Sequence, residues 1–217
     1  MESALHKVTG MRRISGTVIT LMIVLPVVLG LAHSVMASFG HLPILGRQGP
    51  DLSAWAALLA EPGFWRAVVL SLWTGLGATV LSLVLALGAV AALQHRAAGL
   101  RRVLAPLLAV PHAALAIGLA FVIAPSGWIA RGLAPIIGWD RPPDLATVGD
   151  AWGLALILGL VLKEAPFLIA ILLAALSQIP LGAQMAAGRA LGYGRASVWL
   201  WLLVPQLWPL IRLPVLI

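Results

Sequence analysis

Apolar residues in this chain fall in long runs, and polar and charged positions gather in the shorter stretches between them. The runs at 14–35, 67–93, 103–124 and 152–176 each hold 22 residues or more. A bilayer core about 30 Å thick takes roughly 20 apolar helical residues to cross, so each run predicts one transmembrane helix. A fifth begins near Trp208 and reaches Ile217. About nine residues do not cross the core, so this span is expected to be incomplete. The predicted fold is an all-α, polytopic transmembrane helical bundle with about five visible spans.

The connecting stretches carry patterns of their own. Asp51 or Ser53 caps a predicted helix through Trp55, Leu58 and Leu59, which Pro62-Gly63 ends. Trp128, Ile129, Leu133 and Ile136 form a second apolar stripe at helical spacing. Both segments read either as helices lying on the membrane surface or as loops packed over helix ends. Trp65, Trp128, Trp139, Trp152 and Trp208 lie near span ends, as an interfacial aromatic belt requires.

Composition sharpens this picture. With 61% of its 217 residues hydrophobic and 10% charged, the chain is outside the range of water-soluble domains, and a lipid bilayer is its expected solvent. The formal charge of +7 would suggest nucleic acid in a soluble protein, but between apolar spans it records orientation. Placing residues 1–13 in the cytoplasm puts Lys7, Arg12, Arg13, Arg96, Arg101, Arg102, Arg189 and Arg195 inside, and Arg47, Arg66, Arg131 and Arg141 outside. That asymmetry predicts a cytoplasmic N-terminus, and no nucleic-acid partner is expected. The first run follows basic residues as a secretory signal does, but it exceeds the usual apolar length of about 7 to 15 and predicts a retained anchor helix. The absence of cysteine excludes disulfides and thiol catalysis.

Few polar groups fall inside the runs. Lys163-Glu164 lies between two apolar stretches, 151–162 and 165–176, too short to span singly, so the pair belongs near mid-membrane. A charge there costs at least about 2.5 to 3.5 kcal/mol, so each side chain needs protein or water to face. Adjacent helical residues diverge by about 100°, which predicts a separate partner for each. Pro166 removes the donor to the Leu162 carbonyl and predicts a bend. The pair reads as a translocation-path or gating position, as an interhelical polar tie, or as a sign of a tilted span. His112, after Pro111 in the third run, has no His, Cys or carboxylate at metal-ligand spacing; it predicts a hydrogen bond to a neighbouring helix and no metal site. An alternative function is an intramembrane enzyme using Lys163, Glu164 and His112. No Gly-x-x-x-x-Gly-Lys-[Ser/Thr] loop, nucleophile elbow or His-Glu-x-x-His pair occurs, so no catalytic residue and no cofactor is assigned to the chain.

The stretch 177–205 is the most specific. Ala183, Ala186, Ala187, Gly188 and Ala190 make a small-residue helix, and Gly192-Tyr193-Gly194 supplies a sharp stop. This resembles the cytoplasmic loop of binding-protein-dependent ABC importer permeases: Glu-Ala-Ala, three residues, Gly, nine residues, Ile-x-Leu-Pro. Ala186, Ala187 and Gly188 take the first three places, Gly192 the glycine, Leu202 and Val204 the aliphatic places and Pro205 the proline. The acidic residue is replaced by Ala186 and the second alanine by Gly188. Pro111-His112, Pro125-Ser126-Gly127-Trp128 and Arg141-Pro142-Pro143-Asp144-Leu145 resemble the thiamine-transport branch, related to ferric-iron permeases.

The resemblance implies a type I permease of the inner (plasma) membrane, occupying 14–217 and incomplete at its C-terminus. It assigns coupling to a cytoplasmic ABC ATPase to 181–194, with Ala186, Ala187, Gly188, Arg189, Gly192, Tyr193, Arg195 and Pro205 as its residues. It also implies ATP bound by that partner, a second permease half in the same longer chain or another subunit, an outer-side solute-binding protein, and thiamine or a similar small solute as cargo.

Overall fold

The computed structural model describes residues 2–216 apart from 48 and 50, with side chains from residue 18 onward except that of Leu45. The basic side chains of Lys7, Arg12 and Arg13, used above for orientation, lie outside the described ones. The structure is 79% helical, and no strand occurs among the described residues. Five helical stretches are long and apolar enough to cross a membrane: 18–38, 64–109, 112–137, 154–176 and 195–216.

The chain divides into two compact units at Val68. In the first, α1 (Glu2–Ser38) contains the anchor run. A short helix, α2 (Ser53–Ala60), follows an Asp51 turn in which the carboxylate accepts from the Ser53 amide at 2.8 Å and from its hydroxyl. Those bonds, the hydroxyl's first, hold the Asp51 carboxyl below its ordinary value of 3.8. The capping position is Leu52, without a side-chain cap, so neither Asp51 nor Ser53 caps α2 as the sequence suggests; Asp51 instead holds the turn before it through Ser53.

The second unit, Val69 onward, is built around α7 (Leu154–Leu176), whose buried residues run from Ile157 to Leu176. The preceding α3 (Phe64–Leu93) buries Thr74, Ala78, Ser82, Ala86 and Val90, one small or β-branched residue every four positions. In lipid, where apolar side chains gain little by leaving the solvent, such a stripe lets helices approach and gain van der Waals contact. Ala78 joins Ile157, Val161 and Ala165 in one cluster; Ala86 and Val90 join Leu172 and Leu203 in another. Gly77 admits Ile157, whereas Gly75 has open space beside it.

Gly153, at φ 67°, enters α7 where a Cβ would meet Thr74 Cγ2 at 2.5 Å. Asp150 caps that helix, accepting from the amides of Leu154 at 2.8 Å and Ala155 at 3.0 Å. The Trp73 indole donates to the Trp152 carbonyl at 3.1 Å.

Two expectations are corrected. The third run is not one helix: α4 (Ala97–Ala109) and α5 (His112–Ile123) are separated at Val110 and Pro111, both extended. Proline disfavours the helical conformation of the residue before it and offers no amide to the turn behind. The last helical stretch does not begin near Trp208. It starts at Arg195 with α9 (Arg195–Val198), widens into a π turn over Trp199–Leu203 and continues as α10 (Val204–Leu216). Over 22 residues it is long enough to cross, so the shortness inferred from the sequence does not hold for this helix. The Trp128 stripe forms α6 (Trp128–Ile137), closed by Gly138 at φ 78°.

Candidate functional site

Two places in the second unit gather the residues singled out by the sequence. The first is the break between α4 and α5. The last carbonyls of any helix lack intrahelical donors, and Pro111 withholds the amide that would serve Leu107. Lys163 of α7 fills the gap: its Nζ donates to the carbonyls of Val110 at 2.6 Å, Leu108 at 3.1 Å and Leu107 at 3.3 Å. The ammonium also sits at the negative end of the α4 dipole.

Glu164 points to the other side of the break, where its Oε1 lies 3.4 Å from His112 Nε2 at the first position of α5. A carboxylate there complements the positive end of a helix. Each member of the pair therefore has its own partner, as their divergence on α7 predicts, and both partners flank Pro111. Pro166 is buried in α7, which runs through it as one helix.

Open space surrounds this knot on both sides. A recess of about 420 Å³ is lined by Leu108, Val110, Glu164 and Phe167, and one of about 310 Å³ by Leu115, Leu119, Leu156 and Leu160. His112 and Lys163 line both. Phe167 was not anticipated from the sequence, although its place three residues after Glu164 puts it on the same helix face.

The second place is the hairpin from α8 (Leu181–Ala190) to α9. Gly188 is buried because α8 crosses α9 there; a Cβ would meet Val198 Cγ2 at 2.4 Å. Gly192, at φ 82°, reverses the chain, and the Tyr193 amide returns to the Gly188 carbonyl at 2.9 Å. Ala186, Ala187 and Arg189 are exposed, with Leu191 at 75% and Tyr193 at 60%.

Two ties anchor the hairpin to the spans, and the sequence signals neither partner. Gln184 donates to Gln206 of α10 at 2.8 Å, and the Arg195 guanidinium donates to the Ala91 carbonyl in the last turn of α3. Pro205 explains the π turn before it: lacking an amide, it leaves the Trp201 carbonyl without its helical donor, and the backbone widens so that the Val204 amide reaches Trp199.

Over 168 residues, 76% of this chain, 32% of positions are identical to the inner membrane ABC transporter permease protein YnjC of Escherichia coli (strain K12). The chain is similar to an ABC transporter permease. It spans 31% of that relative's length. No family model and no solved structure matches it. The similarity agrees with the five apolar helices. Among the described residues no group of three His, Asp or Glu is placed to hold a metal ion.

Proposed function

We propose that the chain is a membrane-spanning permease subunit of an ATP-driven importer in the inner membrane, with the α8–α9 hairpin as its ATPase-docking element. The observation carrying the docking role is that the hairpin is closely packed from within by Gly188 on Val198 while Ala186, Ala187, Leu191 and Tyr193 remain exposed. A compact, small-residue helix with an aromatic tip can enter a groove on a partner with little loss of conformational freedom. Without an acidic residue at Ala186, docking relies on packing and on the charge of Arg189.

Coupling then follows from the ties. ATP-driven closure of two ATPase subunits displaces the hairpin; Arg195 transmits the displacement to α3, and Gln184 to α10. Both helices share a core with α7, which carries the Lys163-Glu164 knot between the two recesses. Movement of α7 against the α4–α5 break changes the opening of those recesses, and that is the translocation step. A second permease half, an outer-side binding protein and a small solute such as thiamine complete the assembly in this proposal.

An intramembrane enzyme is less well supported: all three Lys163 protons are directed at carbonyls, which leaves the ammonium neither a free base nor a free donor. A photo-crosslinker at Tyr193 of the intact protein, co-expressed with the ATPase, should capture that subunit. Capture at Trp128 but not at Tyr193 would remove the docking role.

A further inference from the structure

The recess beside the α4–α5 break has a charge character fixed by which groups are already occupied. An ammonium has three donors, and those of Lys163 go to Val110, Leu108 and Leu107. No cationic proton is left for a solute. The Glu164 carboxylate has about four acceptor sites, yet its one polar contact among the described residues is the 3.4 Å approach of His112, and its side chain is 41% exposed. Phe167, one turn along α7, lines the same recess, and Leu108 and Pro111 add apolar wall.

We propose that this recess binds an organic monocation, with Glu164 as counter-ion and the Phe167 ring as its apolar wall. The inference rests on the permease reading and deepens it by naming the class of solute that the pathway accepts. A cation lying between a carboxylate and an aromatic ring gains from both, and the gain grows as water is excluded. An anion entering the recess would meet Glu164 and find the ammonium already committed. A neutral solute would leave the carboxylate with the long 3.4 Å approach of His112 as its one polar contact near mid-membrane, where poorly matched charge is costly. A volume of about 420 Å³ is within the usual range for small-molecule sites, roughly 300 to 1,000 Å³.

Three probes sharing one ring and differing in charge decide the matter: benzyltrimethylammonium, benzyl alcohol and benzoate, titrated calorimetrically into the intact protein in lipid nanodiscs. Saturable binding of the cation, at least tenfold tighter than the alcohol and with no binding of benzoate, is expected. Glu164→Gln should weaken the cation at least tenfold, and Phe167→Leu severalfold. Equal binding by Glu164→Gln, preference for benzoate or the alcohol, or no saturable binding of the cation would each overturn the assignment. If Glu164→Gln loses helix content by circular dichroism, the charge series on the wild-type protein and Phe167→Leu decide it. ATPase contact at Tyr193, measured on the same preparation, separates the two claims. Contact without selective cation binding overturns this site alone; selective binding without contact keeps the site and overturns its role in transport.

Discussion

At Gly188 a hydrogen stands where the resembling loop motif carries a methyl group, and Val198 explains it. Restoring the alanine brings Cβ to 2.4 Å from Val198 Cγ2, closer than packed carbons approach. Gly188→Ala should therefore destabilise the hairpin by about 1 to 3 kcal/mol, and adding Val198→Ala should recover most of the loss. Thermal unfolding of the two variants in detergent, followed by tryptophan fluorescence, measures both. At Lys163, replacement by methionine removes three donors and leaves carbonyls of α4 unserved. Loss of the part-buried bond to Val110 is expected to cost about 1 kcal/mol or more, and the exposed bonds to Leu107 and Leu108 less, read in the same assay. Asp150 gives a pH signature. Hydrogen bonds from the amides of Ala155 and then Leu154 hold its carboxyl below 3.8, so the folded state binds its proton less readily than the unfolded chain. The contribution is fully present above about pH 4 and fades as pH falls through the lowered folded value. Amide exchange at Leu154 and Ala155 should be slow at neutral pH and accelerate in acid relative to Asp150→Asn, whose amide stays uncharged.

Among the elements, the interrupted third span has the largest consequences. At about 1.5 Å per residue, α4 and α5 extend roughly 20 and 18 Å, and neither crosses a 30 Å core alone. Pro111→Ala returns an amide to Leu107 and relaxes Val110, so the two pieces should tend to fuse and release Lys163 from its carbonyls. Spin labels at Arg101 and Phe121 should then report a longer and narrower distance distribution than in the wild type. How legible each element was depended on what its residues displayed. Helices α3 and α7 were readable nearly to their ends because their apolar runs, that of α7 broken only by Lys163-Glu164, stop at Leu93 and Leu176. The break at Pro111 was hidden, since Val103 to Ala124 is apolar on both sides and composition does not record which carbonyls lose their donors. The early start at Arg195 was missed for a related reason. Trp199-Leu200-Trp201 followed by Pro205 looks like a loop edge, whereas a π turn absorbs the proline and lets the helix continue. That wider turn also suits the four-residue spacing of Trp199, Leu203, Leu207 and Ile211, all buried in one stripe.

At the scale of the whole molecule, the polar groups of the candidate site were legible as residues but not as partners. Lys163, Glu164 and His112 stand out in an apolar sequence, while the carbonyls that bind Lys163 have no side-chain signal at all. Orientation can be tested directly because the chain has no cysteine to give background. A cysteine at Tyr193 should react with a membrane-impermeant maleimide only from the cytoplasmic face, and one at Trp128 only from the opposite face; the reverse pattern would invert the proposed topology. The Lys163 tie also orders events in time. Its ammonium is made 53 residues after the Val110 carbonyl it serves, which at about 5 to 20 residues per second is several seconds of synthesis. Through that interval the end of α4 has no partner on α7, so the third span reaches its final form only when the fourth arrives beside it. Membrane insertion of this region is thus a joint step, and a ribosome stalled before Lys163 should hold α4 and α5 in a form open to protease or exchange.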